Sequence, residues 1–475
     1  MDDQRTLITA LGLPVVETHI SYVLFDRGTA YKIKKAVRFP FLDFTTLEAR
    51  AFYCGEELRL NSRLAPSIYR DVIPITGTVD APVLGGSGAP IEYAVRMREF
   101  DQRGLLSRVI ARDELTSAHV DGLAVEVAGF HERTARAGPD DPYARPEAVL
   151  DDARQNFAAM TGNIGAARRA QIETLRDWTE REAARCTQEF AARRQQGFVR
   201  ECHGDLHLGN IALVDGAVTL FDCIEFNPAM RWIDVMSDLA FLVMDLRDRR
   251  RPDLAARVLN GYLERTGDYG GLRVLRYYVV YRALVRAKVA WLGADAAEFG
   301  GYLDLAVRES APATPRVVIT HGLAGSGKST RAQALVDEGA VRIRSDVERK
   351  RLRGLPPDAR TASDTGGGLY AEAITRETYE RLATLARTIA AAGYPVVVDA
   401  TFLQRAQRDL LRGVARELDV PFAIADCLAP EAALRERIAR RLGQGRDASE
   451  ATLDVLARQL ATQEPLGADE LGARV

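Results

Sequence analysis

The chain has 475 residues, of which 47% are hydrophobic and 27% charged, and its net charge is −2 at pH 7. This composition excludes a wholly disordered or collagen-like chain, and the near-neutral charge disfavours a globally basic nucleic-acid-binding protein. At about 100–200 residues per domain, the length predicts two or three domains, each able to bury a core.

Cysteine content and the first residues point to a cytoplasmic location. The 5 cysteines include no C-x-x-C pair, so we expect neither a disulfide framework nor a zinc site, as in a reducing compartment. The first residues are acidic and lack the basic and apolar regions of a secretory signal. Because no apolar run reaches about 18 residues, we expect no membrane helix and no membrane partner.

Lysine is scarce in this chain. It occurs only at positions 32, 34, 35, 288, 328 and 350, and arginine supplies the other basic residues. A lysine retained against this background marks a position where a compact point charge is useful.

The first part of the chain is predicted to form a small β-rich lobe followed by a larger helical lobe. Residues 18–25 and 29–35 have the pattern of two strands joined by a tight turn, and residues 91–97 form a further strand. Residues 46–64 have helical periodicity. From residue 113 the pattern is mostly helical, apart from short strands around 210–222.

A second pattern begins after residues 309–315 (ESAPATP), which we interpret as a linker. Residues 316–322 form a buried strand that leads into a glycine-rich loop and a helix. Further short strands are predicted at 341–346, 395–401 and 421–427. Strands that alternate with helices predict a parallel sheet with helices on both faces.

Residues 203–210 (HGDLHLGN) form the central motif of the first part. Asp205 is followed five positions later by Asn210, the spacing of a kinase catalytic loop. A carboxylate there can accept the proton of an attacking hydroxyl, and an amide oxygen can ligate Mg²⁺. Asp222, at the end of a predicted strand, supplies a second hard oxygen ligand.

The strand at 29–35 carries the candidate phosphate lysine. Lys32 matches the A-x-K part of the kinase V-A-I-K motif and needs a carboxylate partner on a following helix. We choose Glu57 as that partner, with Glu56 and Glu48 as competitors. Lys34 lies on the same strand face as Lys32 and is the alternative phosphate lysine.

Residues 1–308 resemble the aminoglycoside phosphotransferase-like kinases. The resemblance rests on residues 203–210, 220–226 (LFDCIEF), 232–241 (WIDVMSDLAF) and 31–35 (YKIKK). It implies a bilobal protein-kinase-like fold, with a small lobe at 1–96, a hinge at 97–100 and a helical lobe at 101–308.

That resemblance also implies roles for individual residues. Asp205 would be the catalytic base, Asn210 and Asp222 the Mg²⁺ ligands, and Lys32 with Glu57 the phosphate anchor. The nucleotide would lie against the hinge, where the residues concerned are Met97 and Glu99. Asp238 would hold the catalytic segment in place.

The family name does not fix the acceptor. In this fold the acceptor side is built from the later helices, and residues 245–290 contain 11 Arg or Lys against 5 Asp or Glu. Because this field repels cations, we expect polycationic aminoglycosides to be poor acceptors.

Residues 322–329 (GLAGSGKS) match the Walker A pattern in full, between a predicted strand and a predicted helix. In such a loop, backbone N–H groups surround the phosphates, the lysine reaches the β- and γ-oxygens, and the serine holds Mg²⁺. The predicted nucleotide-binding residues are Gly322, Gly325, Ser326, Gly327, Lys328, Ser329 and Thr330, of which Ser329 is also a predicted metal ligand.

Other residues of the second part favour a kinase. Asp346 and Arg349 form a D-x-x-R pattern after the second strand, and Asp399 ends an apolar strand at the Walker B position. Arg437 and Arg441 lie on one face of the helix predicted at 431–442 and could close over the nucleotide.

Residues 316–475 resemble the small P-loop kinases around phage polynucleotide 5′-kinases, zeta toxins and chloramphenicol phosphotransferase. The resemblance implies that Asp346 is the base for the acceptor hydroxyl and that Arg349 contacts the acceptor or a phosphate. Arg441 would be the lid arginine, and Asp399 would support Mg²⁺ through water.

Together these patterns predict an α+β kinase-like domain joined to an α/β P-loop domain. We expect a bifunctional enzyme in which each half uses ATP and Mg²⁺ to phosphorylate a hydroxyl of a small-molecule or nucleotide-like acceptor. One alternative is a regulatory protein with an ATP-driven switch and a binding module. Another is a nucleic-acid 5′-hydroxyl kinase, favoured by the arginines of 341–354, although aromatic stacking residues are few there.

Overall fold

The structure is a computed structural model that describes residues 2–162, 164–312, 314–357, 359, 372–444 and 452–475. The chain divides into two compact units. The first unit comprises Met1–Ala159 and Ala183–Asp245, and the second comprises Met160–Glu182 and Leu246–Val475. Within the described residues, no helix is long and apolar enough to cross a membrane.

These compact units differ from the predicted domains, 1–308 and 316–475. The helices between residues 252 and 309 belong to the second unit, and the first of them, Pro252–Thr266, packs against its parallel sheet. Ala256 lies in one buried cluster with Val318, Leu335 and Val397. The linker predicted at 309–315 therefore lies inside the second unit.

The first unit contains a β-sheet and a helical part. Its strands are β1 (Val15–Glu17), β2 (Ser21–Asp26), β3 (Thr29–Lys34), β4 (Arg38–Phe39), β5 (Leu42–Asp43), β6 (Tyr69–Thr78), β7 (Ala81–Leu84), β8 (Glu92–Arg98), β9 (Val199–Glu201), β10 (Ile211–Val214), β11 (Ala217–Leu220) and β12 (Trp232–Asp234). Its helices are α1 (Asp2–Ala10), α2 (Leu47–Asn61), α3 (Leu106–Ala111), α4 (Ser117–Arg133), α5 (Pro146–Ala159), the second part of α6 (Ala166–Gln195), α7 (Pro228–Arg231) and α8 (Val235–Asp248) up to residue 245.

Six of these strands form an antiparallel sheet in the order β1-β2-β3-β8-β6-β7. The predicted hairpin is present as β2 and β3, with Tyr22 opposite Ile33. Alternate residues of the strands, among them Leu24, Ile33 and Ile75, face one buried cluster. Helix α2 begins after Thr46, whose hydroxyl accepts a hydrogen bond from the Ala49 N–H.

The second unit is an α/β domain with added helices. Its strands are β13 (Val317–His321), β14 (Val341–Arg344), β15 (Val396–Asp399) and β16 (Phe422–Asp426). Its helices are the first part of α6, α9 (Pro252–Thr266), α10 (Leu272–Leu292), α11 (Ala296–Glu309), α12 (Lys328–Asp337), α13 (Ser345–Arg351), α14 (Glu372–Ala391), α15 (Arg405–Glu417), α16 (Glu431–Gln444), α17 (Leu453–Thr462) and α18 (Ala468–Leu471).

In the described part of the second unit, four strands form a parallel sheet in the order β14-β15-β13-β16. Strands β13 and β15 are buried at every position, as expected for parallel strands covered by helices. The predicted fold class, a kinase-like domain followed by a P-loop domain with a parallel sheet flanked by helices, is confirmed.

Two candidate active sites

The first candidate site contains an ion-pair cluster built from three elements. Lys32 on β3 has its Nζ 2.6 Å from Asp222 Oδ1 and 2.8 Å from Glu57 Oε1 on α2. Asp222 follows β11 and adopts a left-handed backbone conformation, φ 64°, which is uncommon outside glycine and recurs at functional sites. The structure therefore brings together the lysine, its chosen carboxylate partner and one of the two predicted metal ligands.

Burial separates the two lysines that sequence periodicity places on one face. The Lys34 side chain is fully buried and its Nζ contacts Glu57, 2.7 Å away, and Glu225. Lys32 retains 13% of its side-chain exposure, and Asp222 retains 39%. Lys32 is therefore the more accessible of the two lysines. Its phosphate role stays a prediction.

The electrostatics of the cluster favour a charged Glu57 and a charged Lys32. Burial by itself would raise the pKa of Glu57, but the Lys32 and Lys34 ammonium groups lower it to about 2. Burial also disfavours a charged Lys32, yet the nearby Asp222 and Glu57 carboxylates hold its pKa well above the usual value. For Glu225, burial outweighs the attraction of Lys34, and its pKa is raised. Glu57 is thus the carboxylate that bridges two cations.

The competing carboxylates have other partners. Glu56 accepts hydrogen bonds from Arg59 at 2.8 and 2.9 Å, and its other contact is with Arg231. Glu48 lies exposed in the first turn of α2. Among the three candidates, Glu57 contacts Lys32.

The predicted catalytic loop places Asp205 and Asn210 in direct contact. The Asn210 side-chain amide donates to Asp205 Oδ2 at 2.9 Å and to the Asp205 carbonyl at 3.0 Å. Because the amide nitrogen is used in this way, the side-chain oxygen of Asn210 is the atom that could ligate a metal. Asp205 retains 36% of its side-chain exposure, so an acceptor hydroxyl can reach it.

His207 contacts the candidate base. Its Nδ1 accepts a hydrogen bond from the Gly209 N–H at 3.0 Å, and its Nε2 lies 3.3 Å from Asp205 Oδ2. With Nδ1 as acceptor, a neutral ring carries its proton on Nε2, facing the carboxylate. His207 thus orients Asp205.

Asp238 fixes the backbone that precedes Asp205. Its carboxylate is fully buried and accepts hydrogen bonds from the N–H groups of His203, at 3.0 Å, and Gly204, at 2.9 Å. It also lies 3.1 Å from His131 Nε2. Gly204 has φ +87°, and an added Cβ would lie 2.8 Å from the Met230 carbonyl oxygen.

Sequence reasoning missed the positioning role of His203. Its Nε2 lies 2.8 Å from the Phe221 carbonyl oxygen, and its Nδ1 accepts from the Asp205 N–H at 3.3 Å. Burial lowers the pKa of His203 against the opposing pull of Asp238 and Asp205, so the ring is neutral and donates to Phe221. His203 therefore links the backbone at Asp205 to the residue before Asp222. Its place in the 203–210 motif was the available signal.

The predicted hinge residues lie at the end of β8. Met97 is half-buried and pairs with Ala30 of β3. Glu99 has an exposed side chain, and its N–H donates to the Gly28 carbonyl at 2.9 Å. Both flank the strand that carries Lys32. Their contact with a nucleotide stays a prediction.

The second candidate site is the glycine-rich loop between β13 and α12. Gly322 has φ +133°, and an added Cβ would lie 2.3 Å from the Cys427 carbonyl oxygen. Gly325 and Gly327 also have positive φ angles, 80° and 98°. The Ser326 hydroxyl is buried without a hydrogen-bond partner. These features form a cradle that suits the oxygen atoms of a phosphate chain.

Lys328, Ser329 and Thr330 form the first turn of α12, next to this cradle. The Lys328 ammonium donates to the Leu323 carbonyl at 2.7 Å, so it lies across the loop. Ser329 and Thr330 are exposed. Asp399 lies at the end of β15, buried and adjacent to β13. A serine hydroxyl and a carboxylate are hard oxygen donors, so these residues fit a nucleotide-bound Mg²⁺.

The D-x-x-R pair lies at the start of α13. Arg349 Nη1 donates to Asp346 Oδ1 at 2.7 Å, one helical turn away. The arginine thus orients the candidate base, and the short segment from β14 places both residues at the carboxyl edge of the sheet.

The predicted lid helix is present as α16. Arg437 Nη1 donates to the Gly325 carbonyl at 3.1 Å, so α16 contacts the glycine-rich loop. The backbone of Arg441 lies in α16, but its side chain is outside the described structure. The role of Arg441 stays a prediction.

Family models match both parts of the chain. The model described as "Phosphotransferase enzyme family" matches residues 78–276, and the model described as "AAA domain" matches residues 317–466. The resemblances to phosphotransferase-family and P-loop kinase-like proteins are confirmed at this level.

Among solved structures, the Mycobacterium tuberculosis APS kinase CysC, in complex with AMPPNP and APS, is 26% identical. The match covers 30% of this chain and 78% of that chain, with a TM-score of 0.23. Aminoglycoside phosphotransferase APH(4)-Ia is 13% identical, with 64% of this chain and 97% of that chain covered and a TM-score of 0.40.

The chain also matches whole proteins from mycobacteria. The "Uncharacterized protein Rv2004c" of Mycobacterium tuberculosis (strain ATCC 25618 / H37Rv) and the "Uncharacterized protein Mb2027c" of Mycobacterium bovis are each 30% identical over 459 residues. The match covers 95% of this chain and 90% of either relative. The chain belongs to the same family as these mycobacterial proteins, and within it a phosphotransferase-family region precedes an AAA domain.

Proposed function

We propose that the protein is a bifunctional phosphotransferase that uses Mg²⁺ and ATP at two separate sites, each transferring the γ-phosphoryl group to a hydroxyl. The observation that carries the proposal is that each unit contains its own candidate phosphate lysine and its own candidate base. Lys32 and Asp205 lie in the first unit, and Lys328 and Asp346 lie in the second.

At the first site, Asp205 accepts the proton of the acceptor hydroxyl while His207 and Asn210 keep its carboxylate oriented. Lys32 binds phosphate oxygens, and Glu57 keeps the lysine in place. Asn210 and Asp222 would hold Mg²⁺, which supplies electrostatic stabilisation of the phosphate charge when it is bound. The acceptor oxygen attacks the γ-phosphorus of ATP in line, the bond from that phosphorus to the β,γ-bridging oxygen breaks, and ADP leaves.

At the second site, backbone N–H groups of the glycine-rich loop and the Lys328 ammonium bind the phosphate chain. Asp346, oriented by Arg349, accepts the proton of the acceptor hydroxyl. Ser329 and Asp399 would hold the Mg²⁺ that accompanies the nucleotide, Asp399 through water. Arg437 already contacts the loop, so α16 supports closure over the nucleotide.

We favour small-molecule acceptors over nucleic acid at the second site. The nucleic-acid alternative depended on the arginines of residues 341–354. Arg342 and Arg344 retain only 16% and 17% of their side-chain exposure and pair with Glu264, and Arg349 pairs with Asp346. Because these cations already have carboxylate partners, they offer little charge to a phosphate backbone.

A phosphorylation screen with each half inactivated in turn tests the proposal. The Asp205→Asn variant retains the second activity, the Lys328→Ala variant retains the first, and a metabolite library with labelled ATP reveals the acceptors. We expect two groups of phosphorylated products, one made only by the Asp205→Asn variant and the other made only by the Lys328→Ala variant. Absence of ATP-dependent labelling in the intact protein, across both metabolites and oligonucleotides, would favour the regulatory alternative.

A further inference from the structure

Helix α9 closes the open edge of the parallel sheet in the second unit. Strand β14 lies at that edge, with β15 as its only neighbour among the described strands, so its outer backbone groups are not paired with another described strand. The Asn260 side chain of α9 takes the place of that strand. Its amide nitrogen donates to the Ala340 carbonyl at 3.1 Å, and its oxygen accepts from the Arg342 N–H at 2.6 Å. Asn260 is buried, and its side chain joins α9 to the sheet through two hydrogen bonds to backbone groups at β14.

Glu264 lies one turn further along α9 and contacts the side chains of the same strand. Its Oε2 is 3.3 Å from Arg342 Nη2, and its Oε1 is 3.2 Å from Arg344 Nη1. Its backbone carbonyl accepts a hydrogen bond from Arg351 of α13, at 2.5 Å. One residue of α9 thus contacts both β14 and the helix that carries Asp346.

Arg344 lies between two carboxylates. Its Nη1 pairs with Glu264, while its Nε is 3.9 Å from Asp399 Oδ2. Asp399 is the carboxylate that would support Mg²⁺. A guanidinium that pairs fully with a metal-supporting carboxylate competes with the metal for the same charge. The contact with Glu264 keeps Arg344 turned toward α9.

We propose that Glu264 is a positioning residue of the second site, which holds Arg344 away from Asp399 and so preserves the affinity of the site for its divalent metal. The inference rests on the proposed Mg²⁺-dependent nucleotide site. Glu264 lies within residues 78–276, the phosphotransferase-family match, and outside the AAA match. A residue of the phosphotransferase-family segment therefore tunes the P-loop site.

Binding of Mn²⁺ in the presence of ADP tests the proposal without measuring activity. The full chain with Asp222→Asn serves as the background, so that metal binding reports the second site, and free Mn²⁺ is measured by electron paramagnetic resonance. We expect Glu264→Gln to weaken Mn²⁺ binding about 5- to 10-fold, and Glu264→Gln combined with Arg344→Gln to restore it to within about 2-fold. Arg265→Gln, an exposed neighbour on α9, is the matched control and leaves binding unchanged.

Two further measurements separate this role from a structural one. Binding of ADP without metal should change less than about 2-fold in Glu264→Gln, because the glycine-rich loop is intact. Arg344→Gln alone should leave the Mn²⁺ affinity unchanged or increase it. If Arg344 were needed only for folding, the same substitution would weaken the Mn²⁺ affinity. If Arg344→Gln weakens Mn²⁺ binding, or if Glu264→Gln behaves like Arg265→Gln, the proposal is wrong.

Failure of the proposed function has a different signature. In that case the background protein itself shows no ADP-dependent Mn²⁺ binding, and Lys328→Ala changes nothing. If the background protein binds Mn²⁺ with ADP and Lys328→Ala removes that binding, the proposed nucleotide site is supported. The Glu264 and Arg344 variants then test the positioning role of Glu264.

Discussion

Replacement of Glu57 by glutamine tests the buried charge cluster that joins β3 to α2. Glu57 is fully buried and contacts the ammonium groups of Lys32 and Lys34 at 2.8 and 2.7 Å. These contacts lower its pKa from 4.5 to about 2. At about 1.4 kcal/mol per pKa unit, the shift corresponds to ~3 kcal/mol of stabilisation, the size expected when one member of a buried ion pair is removed.

The effect is measurable by urea unfolding of the first unit. Trp232 lies in the first unit, and Trp178 and Trp291 lie in the second. With Trp178 and Trp291 replaced by phenylalanine, fluorescence reports the first unit alone. For a urea dependence of about 3 kcal/mol per M, the unfolding midpoint of Glu57→Gln at pH 7 should fall by about 1 M. Glu48→Gln, an exposed carboxylate on the same helix, is the control and should move the midpoint by less than about 0.3 M.

The stabilisation by Glu57 depends on pH, and the direction of that dependence follows from its lowered pKa. Because the folded pKa of Glu57 is depressed, its stabilisation is complete above pH 4.5 and is lost as the pH falls from 4.5 toward 2. The difference between wild type and Glu57→Gln should therefore be constant between pH 5 and 7 and shrink below pH 4.5. A difference under about 1 kcal/mol at pH 7, or one that does not shrink in acid, would refute the argument.

Three further predictions concern activity and nucleotide binding. Asp205→Asn, in a Lys328→Ala background, should lower acceptor phosphorylation about 10²–10⁴-fold, while nucleotide binding at the first site is retained. An unchanged turnover would contradict the role of Asp205 as the base. In calorimetry the intact protein should bind two equivalents of ATP. Lys328→Ala should remove one of these binding events and Lys32→Ala the other, because each lysine binds the phosphate chain of one ATP. If a single substitution removes both binding events, the two units form one composite ATP site. Gly322→Ala would bring a Cβ to 2.3 Å from the Cys427 carbonyl oxygen, so it should abolish binding at the second site, and normal binding in the same titration contradicts this.

Local sequence patterns determined the element order and most of the motif placements. The hairpin of β2 and β3, the strand before the glycine-rich loop and the parallel sheet all follow from short-range periodicity, which reports the faces of strands and helices. The glycines at 322, 325 and 327 and the spacing of Asp205 and Asn210 are equally local. Such features depend on neighbouring residues, so they can be interpreted before any tertiary contact is known.

Tertiary structure alone decided which groups meet. Period-2 alternation places Lys32 and Lys34 on one face, but only the tertiary structure shows that Lys34 is buried and paired with Glu225, far away in the chain. In the same way, the sequence placed α9 with the first domain, whereas Asn260 and Glu264 join it to β14. A helical pattern shows which face of a helix is apolar, but it does not show which sheet covers that face. The covering sheet is far away in the sequence, and local periodicity carries no information about such distant residues.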